Sequence, residues 1–509
     1  MKHNFYKYFA IGVLLCSLAG CDKDFEKTNT NPILVTSLDP AFTFANAQMG
    51  SALVTYFFEM EIVQQVHTPF TGTPSGGNLN VQNDAAASMT FDALYGGPVK
   101  YLTDVINTTK ADPERTNLYN MARIWRAYVF QILVDTYGDV PYSEAGLAYT
   151  ERINLPKYDK SEDIYADILK EVEEATKALD PSKSIETNDL FFHGDISKWK
   201  KLGNSLLLRI GMRLTKVDPA KAEQIVKIAV EPGNGGLINS NEDNVLLAFN
   251  STYTNPSVRF VYSERANMYV GAPFVDYLQS TDDPRLKVIA VKYEFPSNTL
   301  DNVGKEDTDP AHQQGMPYGY NDATISTAPG YPGKIGTAWK YSQFNRRTLT
   351  KIDAPAFFIT YSQTQLLLAE AAFRGWIPGN VADYYTSGVK ANLDQMEQYD
   401  PSAKIPEPSQ VAYLAANPFQ MDRALEQINT QYWISSFLNG KEVWANFRRS
   451  GYPALTPNPY PAADPDVKGG FIHRLTYPSR EASVNADNYK AAVARMGSDN
   501  LAKRIFWGK

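Results

Sequence analysis

Between Leu118 and Tyr137 the apolar side chains Leu118, Met121, Trp125, Tyr128, Ile132, Leu133 and Tyr137 recur at steps of three and four. An α-helix, at 3.6 residues per turn, gathers that spacing on one face, whereas a strand would scatter it over both. Gly138 follows as a C-terminal cap and Pro141 bars continuation. An apolar helical face of this length is stable only when covered by a similar one, so the chain must be built on packed helices.

The spacing recurs. Ser161 to Leu179 presents Ile164, Ile168, Val172, Ala175 and Leu179 on one face, with Asp159 or Ser161 as cap and Asp180-Pro181 as stop. Ile196 to Lys216 follows, capped by Asp195, and then the shorter Pro219 to Val230. From Pro232 to about Ala354 the pattern lapses into Gly, Pro, Asn and Tyr, with short β-prone runs such as Lys287 to Phe295. It resumes at Phe357 to Trp376 and Val381 to Gln398, joined by Ile377-Pro378-Gly379-Asn380, and again at Met421 to Phe437 and Lys441 to Phe447. The expected fold is mainly α: tetratricopeptide-like helix pairs forming an α-superhelical scaffold, interrupted by a large irregular loop-rich region. Ala369 and Phe373 match the Ala-x3-Phe part of that repeat, but the pairs are unequally spaced and no true period exists.

The N-terminus carries a different message. Lys2 and Lys7 precede an apolar run, Phe9 to Leu18, that is too short to span a bilayer. It ends in Leu18-Ala19-Gly20-Cys21, the pattern of a bacterial lipobox, in which the cysteine thiol accepts a diacylglyceryl group before cleavage. Residues 1–20 then form a lipoprotein signal peptide, 21–37 a polar tether, and 38–509 the functional domain. The chain has two cysteines, and Cys16 lies within the removed segment. Cys21 is then the only cysteine of the mature chain, which leaves no disulfide or thiol catalyst within it. Two or three acyl chains anchor such a protein stably. The acids of "CDKDFEK" (Asp22, Asp24 and Glu26) resemble a signal for export to the outer face.

The formal charge of −7 becomes more negative when the two lysines of the signal leave. With no Lys/Arg runs, an acidic chain of this kind is a poor match to nucleic acid. No His-Glu-x-x-His, Gly-x4-Gly-Lys-Ser/Thr or Gly-x-Ser-x-Gly occurs, and His67, His193, His312 and His473 lack ligand spacing. Glu370, in the middle of a helix, reads as a structural salt bridge. Asp301 to Asp309, "DNVGKEDTD", could in principle hold calcium but lacks the EF-hand order and reads as an acidic loop, so no cofactor is expected.

Aromatic residues in loops are the conspicuous chemistry. Tyr253, Tyr262, Tyr318, Tyr320, Tyr331, Trp339 and Tyr341 are interleaved with Gly, Pro, Asn and Thr, and a second loop over residues 68–97 carries Asn80, Asn83, Asp84 and Tyr95. Pyranose C–H faces stack on aromatic rings, and sugar hydroxyls pair with Asn and Asp. The candidate ligand residues are therefore Asn80, Asn83, Asp84, Tyr95, Tyr320, Tyr331, Trp339 and Tyr341, with Cys21 as the lipid site.

Several segments also carry a family likeness: "ARIWRAYVFQILVDTYGDVPYSEA", "GDISKWKKLGNSLLLRIGMRL", "GGLINSNEDN", "FLNGKEVWANFRRSGYPAL" and "HRLTYPSREASVNADNY". In this order they resemble the SusD/RagB-type nutrient-binding outer-membrane lipoproteins, in particular the second SusD-like subfamily. The resemblance implies a SusD-like helical fold and a non-enzymatic role: capture of an oligosaccharide at the cell surface, as the lid of a SusC-like, TonB-dependent importer. A peptide ligand, as in some members, is the alternative, and a surface glycoside hydrolase a more distant one. Ligand residues differ among members, so none is carried over.

Overall fold

The computed structural model describes residues 38–53, 56–70 and 79–508, and the chain from Pro40 onward forms one compact unit. Cys21, the signal peptide and the tether lie outside the described residues. The helices that matter below are α1 (Pro40–Gly50), α2 (Tyr56–Ile62), α3 (Asp84–Leu94), α4 (Lys100–Thr109), α5 (Thr116–Tyr137), α6 (Ser161–Ala178), α7 (Ile196–Arg213), α8 (Pro219–Ala229), α9 (Tyr361–Phe373), α10 (Val381–Tyr399), α11 (Ala424–Ser435) and α12 (Gly440–Ser450). The fold is mainly helical, and α5 packs on α6, α7 on α8, α9 on α10 and α11 on α12.

The helix ends obey local chemistry where local chemistry suffices. Gly138 adopts φ 82° and its N–H closes α5 on Val134 O. Asp195 caps α7 through the Lys198 N–H, and Thr360 with Gln363 forms a capping box on α9. The start of α6 is different. Neither Asp159 nor Ser161 caps it by side chain; instead Asp139, 22 residues upstream, accepts from Ser161 N at 2.9 Å. At Gly203 on α7, an added Cβ would lie 2.0 Å from Thr176 Oγ1 on α6, so the two helices meet at a distance only glycine allows.

Buried charge holds the two blocks of pairs together. Arg213 of α7 reaches Glu442 of α12 at 2.6 Å and Asp135 of α5 at 3.3 Å. Tyr432 donates to the far oxygen of Glu442, and Trp507 Nε1 to Asp135. Glu370, in the middle of α9, receives both terminal nitrogens of Arg449 at 2.7 Å, which makes the expected salt bridge a bidentate one between α9 and α12.

Residues 68–97, read from sequence as one loop, contain α3. Its Ala87, Phe91 and Leu94 are buried at helical spacing, and Asn83 accepts from Ala86 N as its cap. The irregular middle is built from small pieces. The run Lys287 to Phe295 begins as a helical turn (Leu286–Ile289) and becomes β6 (Ala290–Tyr293), central in a three-stranded sheet with β7 (Glu306–Asp307) and β10 (Gln343–Phe344). The strands β1 (Val66–His67) and β5 (Tyr269–Val270) pair antiparallel, as do β8 (Lys334–Ile335) and β9 (Ala338–Trp339).

Three carboxylates of the acidic run Asp301 to Asp309 are engaged by protein partners: Asp307 by Asp309 N and His312, Asp309 by Ala311 N, Glu306 by Arg347. Among the described residues no cluster of three or more His, Cys, Asp or Glu could hold a metal ion.

Candidate functional site: an aromatic cluster in the irregular region

The helices and the middle region share one large apolar core, but a separate cluster stands apart from it, formed by Tyr269, Met316, Ile325, Ala328, Trp339 and Tyr341. Phe70, Tyr320 and Tyr331, each half-buried, pack against it. Its frame is backbone. Gly271 bridges Met316 in parallel, Val270 N donates to Ser342 O, and Ser342 N to Gln314 O. At Gly315 the two segments come so close that a Cβ would lie 2.3 Å from Ala272 Cα. Gly315→Ala is expected to cost at least ~1–3 kcal/mol, because backbone cannot yield as a flexible side chain can. Urea denaturation measures it.

Four of the eight candidate ligand residues meet here. Trp339 is 1 % exposed and Tyr341 2 %, so they form the floor, while Tyr320 and Tyr331 reach the surface. The Tyr269 hydroxyl accepts from Trp339 N at 2.9 Å and donates to Ala266 O at 2.5 Å, tying the β8–β9 hairpin to β5. The Trp339 ring lies 5.7 Å from Phe70 and 6.0 Å from Tyr269, with the Lys334 ammonium 4.3 Å from its centroid. Trp339 Nε1 and the Tyr341 hydroxyl have no hydrogen-bond partner among the described residues. Burial pushes the Tyr341 phenol up to about 12, and the neighbouring Tyr331 and Tyr320 add to it. It is therefore a neutral donor at physiological pH.

The other four candidates are committed elsewhere. Asn80, at φ 53°, donates to Gly470 O, and its own carbonyl accepts from Asp464 N. Asn83 caps α3. Asp84 receives Ser479 N and Oγ, and Tyr95 donates to Pro141 O at 2.5 Å. These bonds seat α3 on its neighbours and leave Asn83, Asp84 and Tyr95 outside the aromatic cluster. Asn80 lies nearer to it in one sense: the loop that meets Asn80 at Asp464 also meets Asn321 through Tyr460.

Sequence reading missed Phe70, Tyr269 and Lys334. Tyr269 is part of a β-bridge whose partner is about 200 residues away in the chain, and no local pattern announces such a partner. Lys334 was legible only as half of a two-residue hairpin, with Gly336 at its turn.

The cluster offers rings at the surface and neutral donors beneath. Such an arrangement can hold a ring-shaped polar ligand by stacking and hydrogen bonding.

A family profile, SusD-like_2, described as "Starch-binding associating with outer membrane", matches residues 31–478. No curated protein matches the sequence. Among solved structures, a chitin-binding protein superposes with a TM-score of 0.78 at 32 % identity, covering 92 % of this chain and 100 % of its own. A SusD-like protein, Bacteroidetes AC2a, gives 0.78 at 27 %, covering 93 % and 100 %. A chitin-binding SusD homologue from Flavobacterium johnsoniae gives 0.74 at 20 %, covering 92 % and 97 %, a likeness of fold.

Proposed function

Since the chain belongs to the SusD-like family, we propose that it is a surface lipoprotein that binds oligosaccharide and hands it to a SusC-like, TonB-dependent transporter in the outer membrane. The observation that carries the glycan part is the satellite cluster, in which Tyr320 and Tyr331 offer ring faces above the unpartnered donors of Trp339 and Tyr341. The chitin-binding relative at 32 % identity favours β-linked N-acetylated sugars as the first ligands to try. The protein works without a cofactor and without catalysis, because capture needs shape, stacking and hydrogen bonds alone.

Isothermal titration with chito-oligosaccharides, malto-oligosaccharides and short peptides tests this reading. Saturable binding of a glycan series, lost in the Tyr320→Ala/Tyr331→Ala double variant, supports it. Peptide binding with silence across every glycan replaces the sugar by a peptide, and release of shortened products from a polysaccharide replaces binding by hydrolysis. Co-purification from membranes with a β-barrel transporter tests the partner.

Among the described residues no helix is long and apolar enough to cross a membrane. The proposed attachment is through Cys21, whose lipobox context supports acylation and an outward-facing address. Cys21→Ala is expected to shift the protein from the membrane pellet toward the soluble fraction, since the insertion of its acyl chains is lost. Replacing Asp22, Asp24 and Glu26 by Ala is expected to leave it lipidated but reduce antibody labelling of intact cells.

A further inference from the structure

A cleft of about 980 Å³ opens where the start of α6, the end of α5 and the C-terminal segment converge. It shares no lining residue with the aromatic cluster. Arg474 lines it and is 0 % exposed. Its Nε donates to Tyr137 O at 3.0 Å and its Nη1 to Asp499 at 2.6 Å, which sets the guanidinium beside Gly138 of the cleft wall. Its Nη2 has no partner among the described residues. A buried guanidinium N–H without an acceptor forgoes a charge-assisted hydrogen bond, and an oxyanion restores it.

The rest of the lining has matching chemistry. Lys160, Lys503 and Arg504 stand around the cleft without a carboxylate partner among the described residues; Arg504 donates to Gly508 O at 2.8 Å. The positive end of the 18-residue helix α6 opens onto the same space. Asp139 is consumed by Ser161 and Arg495. Glu162 and Asp163, in the first turn of α6, also line the cleft. Their charge disfavours a dense polyanion and leaves room for a single negative group. The half-buried Phe506, packed edge-on against Tyr165 at 5.0 Å, and Met496 add apolar surface to the same lining.

We propose that this cleft is a second binding site, for one carboxylated sugar unit: the carboxylate is drawn toward the Arg474 guanidinium under the field of Lys160, Lys503 and Arg504, and a C–H face of the ring rests on Phe506. The volume suits one or two sugar rings. Single carboxylates attract through the cations, and neutral sugars through Phe506, but only the combination engages both.

Isothermal titration of the full chain with sodium glucuronate, glucose and acetate tests this. Glucuronate should bind saturably and at least about tenfold more tightly than either glucose or acetate. The Lys503→Ala/Arg504→Ala variant should weaken it about tenfold or more, and Phe506→Ala should weaken glucuronate while leaving acetate unchanged. Melting curves of the variants report whether the fold persists; if Phe506→Ala melts early, Phe506→Leu repeats the test. Absence of saturable glucuronate binding overturns the site, and equal binding of acetate overturns its sugar component. Glucuronate binding that survives the double lysine–arginine variant but is lost in Tyr331→Ala belongs to the aromatic cluster and overturns the proposal as well.

Discussion

Replacing Arg449 by alanine is expected to remove about 3–5 kcal/mol of stability, because it strands a carboxylate in the core. Glu370 is 1 % exposed, and its two oxygens hold Arg449 at 2.7 Å each and Arg374 at 2.8 Å. Arg449 also donates to Asn446 and Asn429, so one guanidinium links α9, α11 and α12. Burial alone would raise the Glu370 carboxyl, but the two guanidiniums outweigh it and hold the group at about 2, below its ordinary 4.5. The sign follows. Glu370 contributes its full stabilisation above about pH 4.5 and loses it as pH falls toward 2, where the folded carboxyl is protonated. The corresponding loss is about 3 kcal/mol. Glu370→Gln is expected to be markedly less sensitive to acid than the parent, while less stable at neutral pH. Urea denaturation at pH 7, 4 and 3 measures both. Equal acid sensitivity of the two proteins would assign the loss to other groups. Glu59 works in the opposite sense, since burial raises its carboxyl in spite of Lys441.

Trp339→Ala is expected to cost about 3–5 kcal/mol locally, the range for deleting a buried large aromatic. Its ring lies between Phe70, Tyr269 and the Lys334 ammonium, and its backbone N–H is the anchor of the hairpin on the Tyr269 hydroxyl. Because the cluster stands apart from the main core, the loss should be confined. Hydrogen exchange is expected to accelerate over residues 313–343 and to change little in α5 to α8. Glycan binding should vanish with it. Tyr331→Ala, which touches a half-buried ring, should reduce binding while leaving exchange near the parent level. If Trp339→Ala instead lowers global stability and exchange rises everywhere, the cluster is part of one cooperative core and loses its standing as a separate site.

These expectations rest on features legible to different degrees in the sequence. The helix over 118–137, its glycine stop and the Asp195 cap of α7 were readable because every partner lies within four residues. So was the role of Glu370, at least in kind. Its partner was not: Arg449 lies 79 residues away, and nothing local to "LLLAEAAFRGW" names it. The residues 68–97 illustrate the opposite failure. The Gly- and Asn-rich opening reads as loop, and the apolar spacing of Ala87, Phe91 and Leu94 inside α3 was overlooked.

The list of loop aromatics was a statement of composition, and composition does not say which rings meet. Tyr253 ended at the surface, stacked on Phe249 at 5.5 Å, and Tyr262 donates to Arg346 O, while Tyr320, Tyr331, Trp339 and Tyr341 converge. What the sequence determined by itself was the set of elements whose stability is local: helical faces, stops and the caps that lie within a few residues of the helix they close. What only the tertiary structure decided was convergence. It lent Asp139 to the start of α6, gave Arg449 to Glu370, left Arg474 Nη2 without an acceptor among the described residues, and drew four aromatics onto a bridge between β1 and β5. The physical reason is the reach of the forces involved. Backbone hydrogen bonds and periodic burial act over a few residues of chain, whereas a buried charge or ring is satisfied by whatever the folded chain brings within about 3–6 Å.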